Sequence, residues 1–235
     1  VTIVEPDTAA LLSLAGGRGV IVQTSTAERV ADAIRNEVVE GRLLPGARLP
    51  EKALSDALKV SRNTIREALS QLVAERVLVR EAHRGVFVAV PGPDDVRDVY
   101  RARRVLEPTA VRTGERVADA AAIAAVRDAV AEGRAAAAAD DWSGVAAANQ
   151  HFHRALVALA ASPRLDQQMG LLLAEMRLVF HRMAEVRAFH EPYLDLNDRI
   201  AGLLEAGERE AAALAVEEYL GTAERQILAA LAEID

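Results

Sequence analysis

Cysteine is missing from all 235 residues, so disulfides and thiolate chemistry are excluded and a reducing compartment fits the composition. No apolar run approaches the ~20 residues that span a bilayer. The first residues also lack the basic region of a secretion signal. We therefore expect a cytoplasmic protein with no membrane partner. Catalytic signatures are missing as well: there is no His-Glu-x-x-His, no Glu-x-x-His pair of the di-iron kind and no Gly-x-Ser-x-Gly elbow. The glycine-rich run Gly16-Gly17-Arg18-Gly19 lacks the lysine and the helix of a phosphate loop. Hydrolytic or redox catalysis has no evident agent, and no enzyme is expected. Lysine is scarce too, and its two copies, Lys52 and Lys59, fall within one short segment.

That segment, from Leu49 to Leu69, is where the sequence is most informative. Ala53, Leu54 and Ala57 give one short helix an apolar face, and Val60 fills a tight turn. Ser61 can cap a second helix, in which Ile65, Ala68, Leu69, Leu72 and Val73 recur at helical spacing. Arg62, Asn63, Arg66 and Ser70 then face outward. An apolar back and an N-terminal turn rich in Arg, Asn and hydroxyl groups are what a recognition helix needs to reach base edges and phosphates. Val77–Arg80 and Val86–Val90 are β-branched runs separated by Glu81-Ala82-His83-Arg84-Gly85, which predicts a hairpin with Arg84 and Gly85 at its tip. Helix, helix, helix, hairpin is the order of a winged helix-turn-helix.

The net charge of −7 conceals an uneven distribution. Residues 21–90 hold 11 basic and 9 acidic side chains, whereas the rest of the chain holds 17 and 26. The basic excess lies where DNA would bind, and it is mild, so affinity should depend strongly on dimerisation and salt. The organisation reads as an arm over 1–23, a DNA-binding domain over 24–90 and a linker over 91–93, followed by helices over 94–235. The arm carries Leu11, Leu12 and Leu14 and either packs on a neighbour or stays disordered. Thr26–Glu40 is the first helix of the DNA-binding domain, with Gly41 placed to end it. Pro91-Gly92-Pro93 interrupts the chain between domains. Beyond it no strand is convincing, and breaks near Ala118, Asp140, Ser162-Pro163, Glu191-Pro192 and Gly207 leave about six helices. The fold class is mainly α, a winged helix-turn-helix followed by an all-α antiparallel bundle.

The bundle aims polar groups inward. Arg103 occupies the position due on the stripe Val96, Val99, Leu106, Ala110; Asn149 and His153 accompany Val145, Phe152 and Leu156. Asn197 shares a face with Tyr193, Ile200 and Leu204, and Tyr219 with Ala212 and Ile227. Each group either satisfies a local bond or, taken jointly, they line a cavity for a small ligand. Arg103 is answered either by an acid of this chain, such as Glu107, or by an anionic ligand. His151 lies off the stripe and is expected at the surface or an interface.

The chain resembles the GntR family of bacterial transcription regulators, in the FadR-like subfamily whose second domain is the helical FCD effector-binding module. The likeness rests on Gly41-Arg42-Leu43-Leu44-Pro45-Gly46-Ala47-Arg48-Leu49, similar to the family's entry into its first strand. It rests also on Val60-Ser61-Arg62-Asn63-Thr64-Ile65-Arg66-Glu67-Ala68-Leu69, similar to its recognition-helix signature. The resemblance implies DNA contacts by Lys52, Ser61, Arg62, Asn63, Thr64 and Arg66, with Arg84 and Gly85 at the wing. Asn63 stands where many relatives carry threonine, which bears on operator preference. Many FCD domains hold a divalent metal with one Asp and three His, and those positions fall on Asn149, His153, Asn197 and Tyr219. His153 alone is a good ligand, so the resemblance implies a lost metal site and no cofactor. Arg103, Asn149, His153, Asn197 and Tyr219 would then bind an organic acid or acyl-type effector directly. The reading is a homodimeric repressor on a palindromic operator of double-stranded DNA, released by a small organic effector, with a metal-dependent FCD-type regulator as the alternative and a helical-bundle enzyme as the more distant one.

Overall fold

The computed structural model describes residues 25–39, 42–183 and 186–233. The expected arm over 1–23, with Gly16-Gly17-Arg18-Gly19, and the expected stop at Gly41 lie outside them. Two compact units result: residues 92–173 with 183–235 form the second, and residues up to Pro91 with Ala174–Arg182 form the first.

The first unit begins with α1 (Thr26–Val39), whose Ala27, Val30, Ala31, Ile34 and Val38 recur every three or four residues and are all buried. The short α2 (Glu51–Leu58) ends at Lys59, which takes a left-handed φ of 53° to turn the chain. The Ser55 hydroxyl braces that turn by donating to the Val60 carbonyl at 2.7 Å. Ser61 then caps α3 (Arg62–Ala74), its hydroxyl accepting the Thr64 N–H at 3.1 Å. Ile65, Ala68, Leu69 and Leu72 seat α3 with no exposure at all. Burying each of the three larger ones contributes ~1.5–3 kcal/mol, enough to fix which face of the helix looks outward.

Strands β1 (Leu78–Glu81) and β2 (Gly85–Val88) pair antiparallel with Arg80 opposite Val86. The segment before α2 lies along β2: the Val88 N–H donates to Ala47 and the Leu49 N–H to Val86, both at 2.8 Å. The expected first strand is therefore a single bridge at Arg48, opposite Phe87. Ala174 and Leu178 complete this unit's core.

Six helices make up the rest of the described chain: α4 (Pro93–Thr113), α5 (Ala120–Ala138), α6 (Trp142–Ala158), α7 (Pro163–Phe180), α8 (Val186–Glu205) and α9 (Arg209–Ala232). Pro93 is the first residue of α4, where its missing N–H is no loss, and the Asp95 carboxylate accepts the Gly92 N–H at 2.8 Å. Asp119 and Asp141 cap α5 and α6 through the N–H groups of Ala121 and Gly144. The packed pairs are α4 with α9 and α6, α5 with α6 and α8, and α8 with α6 and α9. At the end of α4 a Cβ on Gly114 would collide with the carbonyl oxygens of Ala110 and Leu159, so the close approach requires glycine.

The break expected at Glu191-Pro192 is not there. Pro192 lies inside α8, and the chain instead leaves helical structure after Phe180. Proline forfeits one hydrogen bond to the carbonyl four residues back, but Ala188, Glu191 and Pro192 are all exposed, so water can serve that carbonyl. The break at Gly207 does occur. Its φ is +74°, and the Gly207 and Glu208 N–H groups close back on Leu204 and Leu203 at 3.0 and 2.8 Å.

Candidate nucleic-acid interface and ligand site

The exposed turn of α3 presents Ser61, Arg62, Asn63 and Arg66, with Thr64 half-buried beside them. Lys52 is exposed on α2, and Arg84 is exposed at the hairpin tip. Among the described residues Lys52, Arg62 and Asn63 engage no side-chain partner, so their donors are open to an incoming phosphate or base. Arg66 is held: its Nε donates to Glu51 Oε2 at 2.9 Å, while Arg80 lies 4.0 Å from Glu51 Oε1. Glu51 thus ties α3 and β1 to the start of α2. Exposed pairs of this kind contribute ~0–1 kcal/mol, so a phosphate can displace it readily. At the wing Arg84 pairs with Glu81 and lies 5.4 Å over the Phe87 ring. Gly85 has a φ of +116°, which a side-chain-bearing residue adopts only under strain.

In the second unit the structure gathers all five inward-facing polar residues into one connected group. Arg103 Nε donates to Glu107 Oε1 at 2.7 Å, and the other oxygen of Glu107 meets His153 Nδ1 at 2.7 Å. Asn149 Oδ1 accepts from Asn197 Nδ2 at 2.8 Å and from the Tyr219 hydroxyl at 2.9 Å. The His153 and Tyr219 rings touch edge-on at 4.9 Å, joining the two halves. Arg103 also stacks 4.9 Å from the Tyr100 ring. Exposure is 3% for Arg103, 0% for Glu107, 2% for His153 and 5% for Asn197, so these groups see almost no water.

Burial governs their charge states. For Glu107 it pushes the carboxyl up, but the charge of Arg103, with hydrogen bonds from His153 and Arg103, more than reverses this and holds it below the usual carboxylate range. For His153 burial lowers the imidazole; Glu107 opposes this and Arg103 adds to it, leaving the ring neutral. Burial pushes the Tyr219 phenol well above its usual value, against the pull of Arg103. With Glu107 ionised, His153 Nδ1 must be the donor, and its Nε2 carries the lone pair.

Beside Asn149 and Asn197 there is a void of about 10 Å³, room for one water, walled by Ala129, Val130, Gly133, Val145, His190 and Leu194. The sequence reading missed His190, although it precedes Asn197 by seven residues and so shares its face. It named Glu107 only as one possible partner and did not connect Glu51 with Arg66. His151 is exposed, and its Nδ1 meets Glu132 at 2.8 Å.

The four positions at which the resemblance implies a metal in related domains, Asn149, His153, Asn197 and Tyr219, do converge, but their donors suit Zn²⁺ or Ni²⁺ poorly. Asn149 Oδ1 already accepts two hydrogen bonds, Tyr219 is a protonated phenol, and Asn197 offers a neutral amide. No group of three or more His, Cys, Asp or Glu placed to hold a metal occurs among the described residues.

The profile of the gntR family of bacterial regulatory proteins matches residues 26–88, and that of the FCD domain matches residues 98–222. An HTH-type transcriptional regulator of Paraburkholderia xenovorans, BphR, is 32% identical over 190 residues, spanning 74% of this chain and 75% of that protein. The galactonate operon transcriptional repressor of Escherichia coli is 25% identical over 175 residues, 66% of this chain and 76% of its own. Among solved structures, a GntR transcriptional regulator from Rhodococcus sp. RHA1 is 42% identical with a TM-score of 0.80, covering 88% of this chain and 99% of that one.

Proposed function

Since the chain belongs to the GntR family of bacterial transcriptional regulators and carries an FCD domain, it is a ligand-responsive DNA-binding regulator and not an enzyme, and we propose how its parts divide that work. Two copies form a homodimer in the cytoplasm, and each lays α3 in the major groove of a palindromic half-site. Lys52, Ser61, Arg62, Asn63, Thr64 and Arg66 make the contacts, with Arg84 and Gly85 at the wing. A dimer is favoured by the mild basic excess, since one unit alone offers few phosphate contacts. None of the described helices is long and apolar enough to cross a membrane.

The effector is a small organic molecule held directly by Arg103, Asn149, His153, Asn197 and Tyr219, and its binding releases the operator. The single observation carrying this is the connected polar group spanning α4, α6, α8 and α9 inside the helical unit. The sequence suggests an organic acid or acyl compound, and the charge balance at Arg103 bears on that choice below. A thermal-shift screen of organic acids, their neutral analogues and acyl thioesters, followed by operator-release assays, tests the site. A hit whose shift and release both vanish in Tyr219→Phe supports it, whereas a hit untouched by Tyr219→Phe and Asn149→Ala places the effector elsewhere.

The site works without a metal. Protein purified without chelator is expected to contain well under one Zn or Ni per chain by elemental analysis. A stoichiometric ion, lost in His153→Ala, would return the metal-dependent mode to favour.

A further inference from the structure

Three buried polar atoms of the bundle's connected group have no hydrogen-bond partner among the described residues: Arg103 Nη2, His153 Nε2 and Asn197 Oδ1. The first is a donor, and the other two are acceptors. The group's only opposite charges, Arg103 and Glu107, sit 2.7 Å apart and cancel. We propose that Glu107 sets the ligand class of this site: it fills the anion place at Arg103, so that the site takes an uncharged molecule bearing two O–H or N–H donors and one acceptor oxygen, and refuses carboxylates. This rests on the ligand-responsive reading above and narrows it.

The argument is one of charge and of matching. A carboxylate drawn to Arg103 would find a guanidinium already engaged and a second negative charge beside it, in a place with almost no water to separate the two. The carboxylate group itself offers only acceptors, so an acid without other donors would leave His153 Nε2 and Asn197 Oδ1 unsatisfied and costly. A neutral donor answers both atoms while its own oxygen accepts from Arg103 Nη2. Glu107 contributes a second time by fixing the proton of His153 on Nδ1, which makes Nε2 an acceptor. The void of about 10 Å³ beside Asn149 and Asn197 is smaller than any such molecule and is lined by neither Arg103 nor His153, so a ligand that reaches all three open atoms must displace the side chains between them.

Primary amides carry the required pattern, and they differ from the matching acids by little more than charge. The test is thermal unfolding of the full chain with acetamide against acetate, and benzamide against benzoate, at equal ionic strength. The amides are expected to raise the wild-type Tm by about 2–5 °C at saturation, with the acids leaving it unchanged. In Glu107→Gln, which frees the charge of Arg103, the order should reverse and the acids should stabilise. If that variant fails to fold, the wild-type contrast decides alone. Acids that stabilise the wild type more than their amides, or amides without effect, would overturn the assignment. A carboxylate that releases the operator through Tyr219 would likewise sink this inference and leave the regulator intact, whereas failure of every screened ligand to affect DNA binding would sink the reading beneath it.

Discussion

Operator binding by Arg66→Ala is expected to weaken by about 10–100-fold per copy, the loss of ~1–3 kcal/mol for a well-placed arginine contact, and the two copies of a dimer should compound it. The fold should not change. Arg66 projects from the exposed face of α3, opposite the fully buried Ile65, Leu69 and Leu72, and its Glu51 partner lies on the surface. Fluorescence anisotropy with the operator and with a scrambled duplex separates the two roles open to it. A base contact would lose sequence preference; a phosphate contact would lose affinity for both duplexes and lower the salt slope by about one. Unchanged affinity in a variant with wild-type helicity would remove α3 from the interface.

The second large effect concerns stability. Arg103→Met should destabilise the chain by about 3–5 kcal/mol at pH 7, because it leaves Glu107 ionised, buried and uncompensated. Replacing both residues with methionine should recover most of that loss. The pH dependence has a definite sign. Glu107 is held low in the folded chain, so its contribution is complete above an unfolded pKa near ~4.3 and disappears as pH falls through the folded value. His153 is lowered too, so the unfolded chain takes up its proton first and stability falls as pH drops from about 6.5. In Arg103→Met the carboxyl loses its cation and rises, and acid then relieves the strain of burying it. The gap between wild type and variant should therefore be widest near pH 7 and shrink toward pH 4.5 in urea unfolding. A gap independent of pH would mean that Glu107 is not charged in the folded protein.

Much of this was legible in the residues themselves. Ser61 announced α3 because a hydroxyl before an apolar helical run satisfies an orphan N–H, and the structure shows that cap. The five polar positions on apolar stripes did converge, since helical spacing fixes a face. What spacing cannot supply is the partner across a gap in sequence. Glu51 reaches Arg66 fifteen residues on, and Glu107 reaches His153 forty-six residues on. Pro192 misled because proline's local cost says nothing of whether the spared carbonyl can find water. Periodicity likewise shows that Ala174 and Leu178 lie on an apolar face, without naming the core they feed.

Glu51 bears on the strength of DNA binding more than on its selectivity. On the proposed docking, a duplex displaces this carboxylate from Arg66 and leaves a negative charge close to its own phosphates. That small cost falls on correct and random sequence alike, so it cancels from the difference between them and lowers both affinities together. A single side chain outside the reading helix therefore trims the time spent on any duplex and leaves the choice among sequences to the contacts of α3.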